Sequence, residues 1–521
     1  MKFRILALSF LVFTFAATLY GQENMKTISI DTLRDKIAGG WAGKMIGVSY
    51  GAPTEFRAQG KTYEEKLAWE KPSRVNNALR QDDLYVQLSL MMTMDQYGID
   101  APAAKFAESF ATAGYPLWHA NAQGRKNFFD GIMPPLSGSP EYNMHADDID
   151  FQIEADYIGF INPGMPKTAM LLADKVGHIM NYGDGVYGGV FMSAMYTQAF
   201  FENDIQKIVK NALLSIPAKS DYAKCISDVL ILKSRYPDDW RATWKKLEEK
   251  WGDDHICGAL SPFNIDAKIN GAYVVIGLLY GDGDFGKTME IAIRCGQDSD
   301  CNPSNAAAVI GIMRGYSGVP NEWKDGIPAI ADSLFIYTKY SFNSAVENTM
   351  KYAKQLITEN GGKISANEAA IKIQKPVAAP FEVSFPRLVP DRVVAVSDST
   401  AWTFKGNWKS ASRNTITSES AGAEAVFTFT GTGVTLHGSW WKDGGKADVY
   451  VDGKLSRTID TWFNQRGSYE IWETLKLKPG KHTARLVVKG EKRSESTGTS
   501  ITLSGATVFK TGPKKSEGVK I

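Results

Sequence analysis

The sequence predicts two folded units of different class behind an export signal: an all-α domain over residues 22–375 and an all-β jelly-roll sandwich over residues 391–512. A change of period predicts this. Residues 103–113, 167–176, 190–201 and 221–233 repeat apolar side chains every three or four positions, as helices with one buried stripe do. Beyond residue 390 the period becomes two, in AVFTFTG, GVTLHGSWW, KADVYVDGK, HTARLVVKG and SITLSGATVFK, as in strands with one buried face. Asp452-Gly453 between two such runs is a hairpin turn signal. Pro376, Pro380 and Pro386 break the helical pattern, so residues 376–390 read as a linker, and residues 513–521 as a tail.

At the N-terminus Lys2 and Arg4 precede an apolar run over residues 5–19, then Tyr20, Gly21 and Gln22. That is the layout of a signal peptide, residues 1–21, with cleavage expected after Gly21. The run is shorter than the roughly 20 apolar residues a membrane span needs. With no cysteine before Cys225, a lipid-anchored cysteine at the cleavage point is ruled out. The expected product is exported, periplasmic or extracellular, with no membrane span.

The chain has 521 residues, 44% hydrophobic and 22% charged, with a formal net charge of +2. That suffices for more than one core, and the near-neutral balance offers no basic stripe for a nucleic acid. Four cysteines are too few to build a fold of this size from disulfides. No CxxC or HExxH pattern occurs and the six histidines are scattered, so the sequence makes no case for zinc.

Chemistry in the helical domain falls to carboxylates. Asp82-Asp83 stands where a helix begins, within NNALRQDDLYVQLSLMM. Helix-dipole stabilisation of a first turn accounts for such a pair without any function. Asp298 and Asp300 lie two apart in RCGQDSDCNPSNAAAVIGIMRGY, on a turn leading into a helix of small residues. Two carboxylates on turning backbone can face one cation, and ordinary helix capping explains the same residues.

A third segment, GGWAGKMIGVSYGAPTEFR, joins these two in a fixed order. The trio resembles the ADP-ribosylglycohydrolase family, in which a Gly-Asp-Ala-x-Gly-x-Pro-x-Glu stretch precedes a Thr-Asp-Asp helix start and a late Gly-Gly-Asp-Thr-Asp-Thr. Here the counterparts are Gly47-Val48-Ser49-Tyr50-Gly51-Ala52-Pro53-Thr54-Glu55, Gln81-Asp82-Asp83, and Gly296-Gln297-Asp298-Ser299-Asp300-Cys301. The resemblance covers about residues 27 to 350 and implies a metal site on an all-α bundle. Asp82, Asp83, Asp298, Asp300 and Gln81 would hold Mg²⁺, as one ion or two, with Ca²⁺ as the alternative, and Glu55 would be the catalytic carboxylate. Hard cations take oxygen ligands from several carboxylates, and a carboxylate can protonate a glycosidic leaving group or activate water. Gln81 replaces the family's Thr or Ser, Cys301 its Thr, and Val48 its Asp. A thiol is a poor magnesium ligand, so the metal count and specificity for ADP-ribosyl-arginine are the properties these changes touch first.

Further pocket elements are sought in two segments. In HADDIDFQIEADYIGFINPGMP, Asp147, Asp150 and Glu154 would share a solvated helix face, with Asp148 off that stripe and free to reach substrate. In NYGDGVYGGVFMSAMY, Tyr182, Asp184 and Tyr187 are candidate sugar contacts, and the glycines among them suit close helix packing equally well. The sandwich resembles galactose-binding-like or carbohydrate-binding modules of secreted glycan enzymes. Trp440, Trp441 and Trp462 are its candidate sugar platforms, and core packing is the competing use of such residues. The reading is an exported, metal-dependent glycosidase of furanosyl-type or other glycans. Hydrolysis of ADP-ribosyl linkages outside the cytoplasm, or glycan binding without catalysis, stand as alternatives.

Overall fold

The computed structural model describes residues 24–521 except Glu70 and Arg413, so the expected signal peptide, residues 1–21, lies outside the described residues. Helices fill the first 360 residues and antiparallel sheets the remainder. Three helices form the centre of the helical domain. Ala267–Gly281 is buried along its whole length, Asp184–Ala199 nearly so, and Ile30–Gly51 over its second half. A helix apolar on every face belongs inside. Amphipathic helices such as Ile205–Leu213, Asp221–Arg235 and Phe285–Arg294 surround them, started by Asp204, Ser220 and Asp284, whose side chains accept backbone N–H groups.

The closest helix pair sets the geometry of the whole domain. Along Ile30–Gly51, glycines 39, 43, 47 and 51 recur every four residues on the face toward Cys301–Gly318. A Cβ at Gly47 would lie 2.5 Å from Pro303 O and Ser304 Cα, and one at Gly43 would lie 2.6 Å from Ala307 C. The two backbones therefore touch without side chains between them. This contact carries the end of the first helix, and Glu55 just beyond it, to the start of Cys301–Gly318, where Asp300 is the N-cap.

The domain also holds a short sheet the periodicity does not announce. Met25–Ser29 pairs with Glu368–Lys372, which pairs with Lys363–Ile364, joining the two ends of the helical region. Beyond it come two facing sheets. One is ordered Lys454–Asp460, Lys446–Val451, Gly480–Val488, Glu424–Gly431, Trp402–Lys405. The other runs Gly467–Thr474, Gly433–Trp440, Ile501–Thr511, Thr415–Ser418, Lys409–Ser412, with Leu388–Ala395 also paired to Ile501–Thr511. Asp452 and Gly453 have φ of 49° and 81°, the left-handed pair a two-residue hairpin uses.

Leu388–Ala395 begins inside the stretch expected as linker. The rest of that stretch is fastened to the helices: Ala379 N donates to Ser215 O (3.0 Å), and Glu382 Oε2 meets His178 Nε2 at 3.0 Å. The expected tail returns as well, with Lys514 Nζ 3.0 Å from Asp221 and Ser516 Oγ 2.6 Å from Asp254. Across the joint, Leu117 N donates to Gln465 Oε1 (2.8 Å) and Arg493 to Phe129 O (2.6 Å). Among the described residues no helix is long and apolar enough to cross a membrane.

Candidate active site

The three sequence motifs meet. Phe56 N donates to Gln297 O (3.0 Å), Gln297 N to Ala58 O (2.8 Å), and the Thr54 and Ser299 hydroxyls lie 2.8 Å apart. Carboxylate oxygens of Glu55, Asp298 and Asp300 fall within 4.8 Å of one another, as do ligand atoms of Asp83, Asp300 and Cys301, so Asp300 belongs to both groups. Asp82 and Asp83 occupy the first turn of Asp82–Tyr97. Gln81 is that helix's N-cap, its backbone carbonyl accepting from Leu84 N and Tyr85 N (both 3.1 Å). Asp83, Asp298 and Asp300 are buried, while Glu55 stands at the exposed rim.

Crowded, desolvated carboxylates resist ionisation. Burial, then the charges of Asp300, Asp82 and Asp83, push Glu55 up to about 8. Burial, then Asp83, raises Asp82 to about 6. Asp298 is lifted to about 7 by burial first, and Asp300 is raised well above its ordinary value by burial and by Asp298.

One residue absent from the sequence reading stands behind this group. Lys44 is wholly buried, its Nζ 2.7 Å from Asp83 Oδ1, 3.1 Å from Asp156 Oδ2 and 2.8 Å from Ile153 O. Asp156 is bound in turn by Tyr196 OH (2.5 Å) and Asn305 Nδ2 (3.2 Å). The lysine holds Asp83 as an anion at the back of the site.

The carboxylates suit a hard cation on an observation of their own. Asp298 Oδ1 is buried without a hydrogen-bond partner among the described residues, a costly condition that a ligand would relieve. Cys301 departs from an all-oxygen set, since its thiol donates to Asp83 Oδ2 at 3.1 Å.

Other expected contacts find different employment. Asp150 and Glu154 form no solvated stripe: both are buried, Asp150 accepting from Asn121 N (3.0 Å) at the start of His119–Phe129 and Glu154 from the Asn121 amide. The period places them on one face, but that face meets another helix end rather than water. Asp148 is buried against His145 at 2.8 Å. Tyr187 OH donates to Pro380 O (2.7 Å) and accepts from Glu382 N (2.6 Å), the Tyr182 ring packs edge-on to His178, and Asp184 caps Tyr222 N (3.1 Å). These three residues secure the connecting stretch and a neighbouring helix, which corrects their assignment as sugar contacts. Trp440 is 3% exposed and stacked on Tyr469 with centroids 4.2 Å apart, and Trp462 is buried against Phe129 at the domain joint. Neither offers a free face to a sugar, because the joint uses it. Trp441 alone of the three is exposed, with Lys442 and Arg466 over its ring. A surface cavity of about 1020 Å³ lined by residues including Glu64, Arg241 and Tyr280 shares no residue with the carboxylate group, which is where the titratable chemistry lies.

With the geometry established, comparison with known proteins decides the family. A model of the ADP-ribosylglycohydrolase family matches residues 29–363. The chain belongs to the ADP-ribosylglycohydrolase family. Glu55, the Asp82-Asp83 turn and the Asp298/Asp300 turn all lie inside the matched region. A solved structure titled "ADP-ribosylglycohydrolase-related protein complex" is 14% identical, covering 62% of this chain and 98% of its own at a TM-score of 0.44. The CBM36-1 domain of a multidomain xylanase from the hindgut metagenome of Trinervitermes trinervoides is 16% identical over 23% of this chain and 98% of its own, at a TM-score of 0.19. Among curated proteins, an "A type blood alpha-D-galactosamine galactosaminidase" of Flavonifractor plautii is 33% identical over 113 residues, 20% of this chain. This ADP-ribosylglycohydrolase family member spans about a tenth of the length of that relative. Family and relative alike are named for action on glycosyl linkages.

Proposed function

We propose that this family member is an exported, divalent-cation-dependent glycoside hydrolase of furanosyl-type or other glycans. The observation that carries the reading is the meeting of a rim carboxylate, Glu55, with the buried pair Asp298 and Asp300. Glu55 serves as general acid and base. Its carboxyl, pushed up to about 8 by burial and by its neighbours, keeps a proton near neutral pH that can pass to the departing oxygen. Once deprotonated, the same group takes a proton from water. Asp82, Asp83, Asp298 and Asp300, with Gln81 beside them, would hold Mg²⁺ or Ca²⁺, which supplies charge for orienting sugar hydroxyls and sharpens the acidity of Glu55. Lys44 keeps Asp83 ionised, and Cys301 acts as a hydrogen-bond donor to Asp83 rather than as a ligand, which supports one hard ion on the Glu55 side. Export is supported by Lys2, Arg4 and the apolar run that follows.

The test is hydrolysis by the purified mature chain of aryl furanosides, aryl pyranosides and ADP-ribosyl-arginine, after chelator treatment and again with Mg²⁺ or Ca²⁺ restored. Cation-restored cleavage of a glycoside, lost in Glu55→Gln, supports the proposal. Cleavage of ADP-ribosyl-arginine alone moves the assignment to that substrate class, and cleavage indifferent to both chelator and Glu55→Gln overturns it.

A further inference from the structure

The histidines scattered through the sequence do not stay scattered. His119, which opens the helix His119–Phe129, His145 and Asp148, from the turn before Asp150–Glu154, and Cys257, from the loop before Ala267–Gly281, bring one ligand atom each within 4.8 Å of the others. His145 Nδ1 lies 2.8 Å from Asp148 Oδ2 and 3.2 Å from Cys257 Sγ. His119 Nδ1 lies 3.6 Å from the same Asp148 oxygen and 3.7 Å from the same sulfur. With zinc–nitrogen and zinc–oxygen bonds of about 2.0–2.2 Å and zinc–sulfur bonds of about 2.3 Å, the ligand atoms of a tetrahedral site stand roughly 3.3–3.6 Å apart. The four measured separations bracket that edge length.

The surroundings are built to hold these side chains in place. Asn143 Oδ1 accepts from His145 N (2.9 Å) while Asn143 Nδ2 donates to Met180 O (2.7 Å). Asn181 Nδ2 donates to Ala146 O (3.0 Å) and Asp148 O (2.8 Å), so two buried amides fix the turn that carries His145 and Asp148. His119 has φ of 44°, a left-handed backbone that a non-glycine residue adopts only when its surroundings impose it. The far nitrogen of His145 meets Glu470 Oε2 at 3.0 Å, the carboxylate partner that metal-bound imidazoles ordinarily have. Glu470 comes from the sandwich strand Gly467–Thr474.

We propose that His119, His145, Asp148 and Cys257 form a zinc site, distinct from the hard-cation site, that locks the domain joint through Glu470. Two nitrogens, one oxygen and one sulfur suit zinc and are wrong for magnesium. Four protein ligands close the coordination shell, so the ion is structural. Its reach includes the catalytic rim, because the His119 ring stacks on Phe263 at 5.7 Å and Phe263 meets Phe56, the residue after Glu55, at 5.0 Å.

The test begins with metal analysis of the mature chain purified without chelator, where about one zinc per chain is expected for such a closed site. Cobalt exchanged into the chelator-stripped protein should give tetrahedral visible bands and a thiolate-to-cobalt band in the near ultraviolet. Cys257→Ser should abolish the thiolate band, and His145→Gln should lower bound zinc, while Cys301→Ser and Asp298→Asn should change neither. If those variants fail to fold, the wild-type protein answers by itself: zinc should protect Cys257 from alkylation and compete with a chromophoric chelator. Absence of stoichiometric zinc or cobalt binding, or equal alkylation of Cys257 with and without zinc, overturns the proposal. Loss of the thiolate band in Cys301→Ser instead would assign the ion to the carboxylate group and overturn it too.

Discussion

Gly47→Ala tests whether the contact between the first helix and Cys301–Gly318 sets the active-site geometry. An added Cβ would lie 2.5 Å from Pro303 O and Ser304 Cα and 2.6 Å from Ser304 N. Ordinary contact begins at 3.4 Å, so the helices must part by about 0.9 Å, and every offending atom is backbone that no rotamer change can withdraw. Overpacking of this kind costs about 1–3 kcal/mol, which at this domain size lowers Tm by roughly 2–10 °C. The parting occurs between Glu55 at one helix end and Asp300 at the other, and a displacement near 1 Å at reacting groups costs about 10²-fold in rate. The assay pairs thermal unfolding with kcat/KM on a glycoside the wild type cleaves. Gly480→Ala serves as control, since a Cβ there meets nothing nearer than His482 Nε2 at 3.8 Å. A Gly47→Ala protein indistinguishable from Gly480→Ala in both measurements would refute the reasoning.

Glu55→Gln should leave the melting curve nearly unchanged and remove about 10²- to 10⁴-fold in rate, as loss of general acid–base help does; full activity would reject the role. Asp298→Asn should weaken cation binding and recover part of its activity in excess Mg²⁺, whereas Glu55→Gln should not, so a cation titration of both variants separates the roles. Lys44→Met strips the buried Asp83 and Asp156 of their shared cation and should cost about 3–5 kcal/mol, read by chemical denaturation. The tail supplies a pH test: burial alone would raise Asp221, yet Lys514, Lys224 and Lys268 hold it down at about 2 against an ordinary 3.8. A depressed carboxylate stabilises above its unfolded pKa and loses that contribution as pH falls through the folded one. Hydrogen exchange over residues 513–521 should therefore stay slow at pH 7 and quicken between about pH 4 and 2; equal exchange at both ends of that window would contradict it.

What the sequence made legible follows from what periodicity reports. A period of two gave the strands Glu424–Gly431 and Gly480–Val488, and Asp452-Gly453 gave their neighbour's turn, because alternation and left-handed turn residues are local properties. The motif trio gave the carboxylate group because its members keep a fixed order along the chain. Periodicity names a face and not the partner of that face, so Asp150 and Glu154 read as solvated when they hold the start of another helix. The same limit hid the meeting of His119, His145 and Cys257, which stand far apart in sequence, and sent Trp440 and Trp462 to a sugar surface when they serve the joint.

Lys44 shows how such a limit can be narrowed by physical argument. From Ile37 to Gly51 it is the single charged residue, in a run so rich in glycine and apolar residues that the helix has no polar face to turn outward. A lysine there cannot reach water without leaving the packed contact with Cys301–Gly318, and an unpaired buried ammonium is costly enough that a carboxylate must lie within reach. The candidates are the acidic residues that must themselves be buried, and Asp83, on the inner side of a helix start, is one of them. An isolated charge in an uncharged, glycine-spaced helix thus points toward its counter-ion, and here that counter-ion, Asp83, belongs to the carboxylate group proposed to hold the cation.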